Sequence, residues 1–338
     1  MDLNTVWFIL VGVLLTGYAM LDGFDLGVGA LHLFVKKDED RRIFLNAIGP
    51  VWDGNEVWLV TGGGALFAAF PMAYATVFSG FYLAFMALLC GLIFRAVAIE
   101  FRSKESWGWW RQMWDIGFAL GSVGSSFLIG VAMGNILVGI ELDARGNYIG
   151  GFWALLNPYA VLLGLTTIAL FTMHGSIYLV MKTEGELQAR VRRWVNRTIG
   201  VFLFFYIILN VATLVFAPHI LEILRARPWL LAVFAFNVIV VMNIPRQIRK
   251  GNDFTAFLSS CGAMILLMAL FGLTVYPHMV LSMPNPENSL TIYNAASTAK
   301  THFIMLIMAI IGVPVVLAYT VSVYYIFRGK VKLTEHSY

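Results

Sequence analysis

The chain is short of the residues that most often carry soluble chemistry. Its 338 residues include two cysteines, Cys90 and Cys261, far apart and each within an apolar stretch. That spacing excludes a disulfide framework and a cysteine-based metal site, and both read as small packing residues. No Lys or Arg precedes Lys36, so the basic start of a cleavable signal peptide is missing and the first hydrophobic segment is expected to be retained. Charged residues make up 12% of the chain against 59% hydrophobic, which excludes an ordinary soluble domain. Of six histidines, only His174 falls well inside a hydrophobic segment; His32, His219, His278 and His302 lie near segment ends. A membrane haem usually takes paired axial ligands, so a hydrogen-bonded packing role suits His174 better. Gly62, Gly63 and Gly64 are not followed by Lys-Ser/Thr, which excludes a phosphate loop and points to close helix packing. The net charge of +4 comes from basic loops and implies no nucleic-acid partner.

What is present is a series of hydrophobic runs long enough to cross a bilayer, and the expected fold is an all-α polytopic membrane protein. About nine transmembrane helices are predicted, over 6–34, 53–70, 73–99, 114–138, 152–181, 199–217, 228–245, 254–277 and 303–327. They form a single integral membrane domain over 1–338 that divides as four, four and one: 1–138, 152–277 and 303–327. With nine crossings, 18 of the 23 Lys and Arg residues fall on one side, including Lys36, Arg42, Arg193 and Lys332. Arg145, Arg225, Arg227 and Lys300 fall on the other, and Arg95 lies within the third segment. The positive-inside rule then places the N-terminus in the periplasm and the C-terminus in the cytoplasm. KKDEDRR, residues 36–42, reads as a solvated inner loop, and 185–197 as an amphipathic inner loop lying on the anionic leaflet.

The acids stand out against this background. GYAMLDGFDLGVGAL, residues 17–31, places Asp22 and Asp25 three positions apart and so on one helix face. Its glycines leave shallow surface for a neighbouring helix. A carboxylate near the bilayer centre costs roughly 2.5–3.5 kcal/mol on insertion scales, so such groups face a bundle interior or a hydrated path. The first segment is about 29 residues long, roughly 43 Å, and reaches Asp22 after roughly 24 Å. Both aspartates therefore belong to its cytoplasmic half. Asp53 and Glu56 open the second segment, where the helix dipole favours carboxylates. Arg95 either snorkels to the headgroups or pairs with the acids. Asp115 starts the fourth segment at the same end. The six groups thus converge by topology on one membrane half. They could move protons or lock helices together.

The motifs LDGFDLGVG at 21–29, GPVWDGNEVWLVTGGGALFAAFP at 49–71, FSGFYLA at 78–84, FRAVAIEFRSK at 94–104 and MWDIGF at 113–118 resemble subunit II of the cytochrome bd ubiquinol oxidases. So do LLNP at 155–158, TEGEL at 183–187 and NSLTIYNAAS at 288–297. The resemblance covers essentially the whole chain and implies two four-helix bundles plus a peripheral helix. It implies a place in a terminal oxidase of the bacterial inner membrane that oxidises quinol and reduces oxygen to water. By that resemblance two b haems and one d haem belong to a partner, subunit I, and this chain binds no haem or metal. It would scaffold subunit I and supply part of a cytoplasmic proton path through Asp22, Asp25, Asp53 and Arg95, supported by Glu56 and Asp115. A small accessory subunit, membrane lipid, quinol and a structural quinone are further possible partners. Two other readings stay open. A proton-coupled transporter would also bury acids, but around a midplane site on repeat-related broken helices. A purely structural assembly subunit would use the same carboxylates to hold helices together.

Overall fold

In a computed structural model describing residues 2–333, the chain is almost entirely helical. The helices are α1 (Leu3–His32), α2 (Asp38–Ile48), α3 (Trp52–Ala69), α4 (Pro71–Gly80), α5 (Tyr82–Phe101) and α6 (Gly108–Val138), then α7 (Pro158–Lys182), α8 (Gly185–Phe216), α9 (His219–Ala226), α10 (Trp229–Arg249), α11 (Asp253–Val275) and α12 (Ala299–Ile326). Among the described residues, eight helices are long and apolar enough to cross a membrane. The predicted segment outside this set is the second, α3, whose first turns carry Asp53, Asn55 and Glu56 and dilute its apolar character. It nonetheless runs antiparallel to α1. Gly62 meets Leu15, Gly17 lies under the Trp58 ring, and Asn55 bonds to Asp25.

α1 is the central element. It packs against α3, α6, α7 and α11, with α5 on α6, α8 on α7, α10 on α11, and α12 along the outside. Close approach at glycines sets these crossings. A Cβ at Gly27 would collide with the Phe171 carbonyl of α7, and one at Gly121 of α6 would collide with the Gly91 carbonyl of α5. Small residues are what membrane helices need where backbones touch, since apolar surface gains little by leaving lipid. At Gly62–Gly64 that expectation holds for one position only: Gly62 is buried, while Gly63 and Gly64 meet nothing within 4 Å.

Three other expectations change. The predicted third segment is two helices, broken at Phe81 between α4 and α5. Residues 185–197 are not an amphipathic loop on the leaflet. They are the first turns of α8, with Leu187, Val191 and Val195 buried against the core, because nothing in the sequence interrupts the helix before Phe216. Residues 36–39 are exposed, as expected of a solvated run, but 38–42 are the start of α2, which buries Phe44, Leu45 and Ile48. The core has two poles. Phe24, Phe44, Ile48, Val191 and their neighbours fill one end, while Trp7, Phe70, Phe81, Ile140 and Ile292 fill the other. The second pole is capped by a short antiparallel pair, β1 (His278–Val280) and β2 (Leu290–Thr291). The 139–142 loop joins the cap through Ile140, whose N–H donates to the Leu281 carbonyl at 2.9 Å.

Candidate functional site

Two charged clusters lie inside the helices, and the predicted residues divide between them. The first is centred on Arg95, fully buried on α5. Its guanidinium grips Asp22 with both terminal nitrogens, Nη1 donating to Oδ2 at 2.9 Å and Nη2 to Oδ1. A bidentate fork of this kind is the strong form of an ion pair. The same guanidinium lies 3.8 Å from Asp25 Oδ2 and 3.9 Å from Glu56 Oε2. Arg95 therefore pairs with acids and does not snorkel. The i, i+3 spacing places Asp22 and Asp25 on one face of α1, as the sequence indicates, and both are fully buried.

Asp25 is held differently from Asp22. Its Oδ2 accepts from Asn55 Nδ2 at 2.7 Å, and the same amide nitrogen also donates to the Leu21 carbonyl at 3.1 Å. Tyr324, in the last turns of α12, donates to Asn55 Oδ1 at 2.8 Å. The peripheral helix thus reaches the interior through one phenol. Asp25 Oδ1, Arg95 Nε and the Tyr18 hydroxyl have no hydrogen-bond partner among the described residues. Glu56 is the partly exposed member, its side chain 22% accessible. Asp53 does not join the cluster. It lies exposed in the first turn of α3, three residues from Glu56 and on the same helix face. Neither acid caps α3 through a side-chain hydrogen bond.

Asp115 belongs to the second cluster, nearer the helix ends. Its carboxylate accepts from His32 Nε2 at 2.5 Å, Arg102 Nε at 2.5 Å and Arg41 Nη1 at 2.6 Å. Arg102 continues to Asp38 at 2.7 Å, which Arg111 joins at 3.1 Å. One acid thereby ties together α1, α2, the turn after α5, and α6. The two clusters lie seven residues apart on α1, from Asp25 to His32, or roughly 10 Å.

Sequence reading missed Asn55, Tyr324, His32 and Arg102. His32 sits at a helix end and reads as interfacial, yet it is fully buried. Asn55 offers one local signal, an amide inside a hydrophobic segment; Tyr324 and Arg102 offer none. His174 is buried, with Nδ1 2.7 Å from Ser260 Oγ and Nε2 3.0 Å from the Met20 carbonyl, and its ring stacks on Phe257. Both ring nitrogens are thus engaged, and the site does not fit an axial haem ligand. Among the described residues no group of three or more His, Cys, Asp or Glu side chains is arranged to hold a metal ion.

Such a fold and site define a polytopic helical membrane protein built around internal ion pairs. The sequence model of the family described as cytochrome bd terminal oxidase subunit II matches residues 3–327. The chain is 36% identical to cytochrome bd-I ubiquinol oxidase subunit 2 of Escherichia coli K12, covering 97% of this chain and 95% of that one. It is 34% identical to cytochrome bd ubiquinol oxidase subunit 2 of Bacillus subtilis 168, over 99% and 98% of the two chains. The fold is similar to a chain of the bd oxidase of Geobacillus thermodenitrificans, with TM-score 0.79 and 16% identity over 97% and 98% of the two chains. The chain belongs to the cytochrome bd terminal oxidase subunit II family, and is therefore a multi-pass membrane subunit of an oxidoreductase complex.

Proposed function

We propose that this chain is the haem-free subunit of a bd-type ubiquinol:oxygen oxidoreductase, holding the haem-bearing subunit I and carrying protons toward it from the cytoplasm. The reading rests on one observation: a single buried guanidinium faces two fully buried carboxylates and a third that is partly exposed. One Arg neutralises one carboxylate. Asp22 takes that role through its bidentate pair, so Asp25 is the carboxyl left over to carry a proton. A carboxyl can accept and release a proton without leaving its place, whereas Arg95 stays charged throughout. Asp53 and Glu56, exposed and partly exposed on one face of α3, form the approach to it. Reduction of oxygen consumes protons, and a route from the cytoplasm makes that consumption separate charge. The orientation this requires, with the N-terminus in the periplasm, is supported by the 18-to-4 division of basic residues. A reporter fused after Tyr338 that works only when exported should be silent.

The test is substitution with separate measurement of assembly and turnover. Asp22→Asn removes the bidentate partner of a buried Arg95, so loss of complex in that variant says nothing about protons. Asp25→Asn and Glu56→Gln keep shape and much of the hydrogen bonding. In both, subunit I and its haem should be retained while oxygen consumption and proton uptake fall together. Full turnover in both variants would leave the subunit purely structural, with the Arg95 cluster as a helix clasp.

A further inference from the structure

We propose that the groove between α10 and α11 seats an anionic phospholipid of the cytoplasmic leaflet, with its phosphate on Arg246 and one acyl chain along the groove. This site is separate from the buried carboxylates and does not depend on their role; only its leaflet rests on the orientation proposed above.

α10 packs principally against α11, and the face where they meet is open, leaving a groove of about 790 Å³. Its two ends differ in chemistry. Arg246, Asn243, Thr255 and Ser259 line one end, and Phe236, Ile239, Ile265 and Leu266 the other. Gly262 keeps the middle shallow; a Cβ there would only reach ordinary contact, 3.4 Å from Val240 Cγ1. From Arg246 to Phe236 is ten residues of helix, roughly 15 Å. That is half of a ~30 Å hydrocarbon core, the depth of one leaflet.

The polar end is preorganised and positively charged. Asn243 donates to Ser259 at 2.9 Å, and Gln247 donates to Asn243 at 3.1 Å, so these amides are fixed in place. Arg246 is exposed and has no ion-pair partner among the described residues. Nearby Arg192, by contrast, is paired with Asp253 at 2.6 Å. Arg249, the last residue of α10, and Lys250 just after it extend the positive charge. A guanidinium matches phosphate geometry with two parallel donors, and basic residues at a membrane surface favour anionic lipid by about 1 kcal/mol each. A quinone ring is neutral and leaves that charge unanswered. The combination of cationic head site and one-leaflet apolar trough fits a phospholipid.

The experiment uses the whole oxidase complex, equilibrated with mixed micelles of phosphatidylglycerol and phosphatidylcholine in equal amounts and then stripped of loose lipid. Retained lipid is counted by mass spectrometry, with haem content and subunit ratio reporting assembly. Phosphatidylglycerol should be retained over phosphatidylcholine at about one per complex. Arg246→Gln should lower the retention ratio about fivefold, and Arg246→Lys should keep most of it. Gly262→Leu, or Leu258→Trp on the exposed wall if the first fails to assemble, should expel both lipids from the groove. A retention ratio unchanged by Arg246→Gln overturns the proposal. So does retained lipid unchanged by the groove-filling variants, or a quinone recovered in place of phospholipid.

Discussion

The two buried clusters use the same residue types in opposite proportions. Around Arg95, one cation faces Asp22, Asp25 and Glu56. Around Asp115, one acid accepts from His32, Arg41 and Arg102. A carboxylate that receives several charge-assisted hydrogen bonds is held as an anion and has little freedom to exchange a proton. Acids that outnumber their cation compete for it, and the one left without it is not held as an anion. The contrast is the ground on which a clasp at Asp115 and a relay at Asp25 are proposed, although both lie on adjoining stretches of one bundle. Burial alone does not separate the roles; the ratio of charges does.

Removing the acid that holds two guanidinium groups and a histidine should break the clasp most severely. Asp115→Ala leaves half-buried Arg41 without an acid and buried Arg102 with only the exposed Asp38, at a cost of about 3–5 kcal/mol. The complex should be recovered in low yield or not at all, which thermal melting and subunit content of membranes would reveal. Asp115→Ala that assembles normally would erase the distinction between the clusters. Next in size is Asp25→Asn, expected to leave the melting temperature nearly unchanged while turnover drops on the order of a hundredfold, the low end for losing a positioned proton-transfer group. Oxygen consumption per haem decides it.

Smaller changes sharpen the contrast. Tyr324→Phe removes the hydrogen bond to Asn55, worth about 0.5–1.5 kcal/mol. Asn55 then loses one anchor, so a several-fold fall in turnover with intact assembly is expected, and the double variant with Asp25→Asn should be no slower than Asp25→Asn alone. The smallest effect belongs to the partly exposed pair of Arg192 and Asp253, whose side chains are 34% and 17% accessible. Arg192→Ala should change the melting free energy by less than about 1 kcal/mol and leave turnover alone. A large loss there would mean that charge pairs at the helix ends matter as much as the buried clusters do.

Sequence by itself determined that the chain is a series of apolar helices long enough to span a bilayer, and that Asp22 and Asp25 share a face. Hydrophobic length and the i, i+3 relation are local properties of a chain forced into helices by the bilayer. It also brought Arg95, Glu56 and Asp115 to the same membrane half, because topology assigns each segment end to a side. Tertiary structure alone decided which of those groups meet. Arg95 faces Asp22, and not headgroups, because α5 packs on α6 at Gly91 and Gly121 while α6 packs on α1 through Ser122 and Gly29. Asp115, one residue type among several at the same end, turns to His32, Arg41 and Arg102 instead. Asp53 ends exposed while Glu56, three residues on, lies beside Arg95. Tyr324 enters the site from more than 260 positions away in the chain. Those outcomes depend on the rotation of each helix about its axis and on where glycines let backbones touch, and a periodic pattern read along one segment carries no information about its neighbour's orientation.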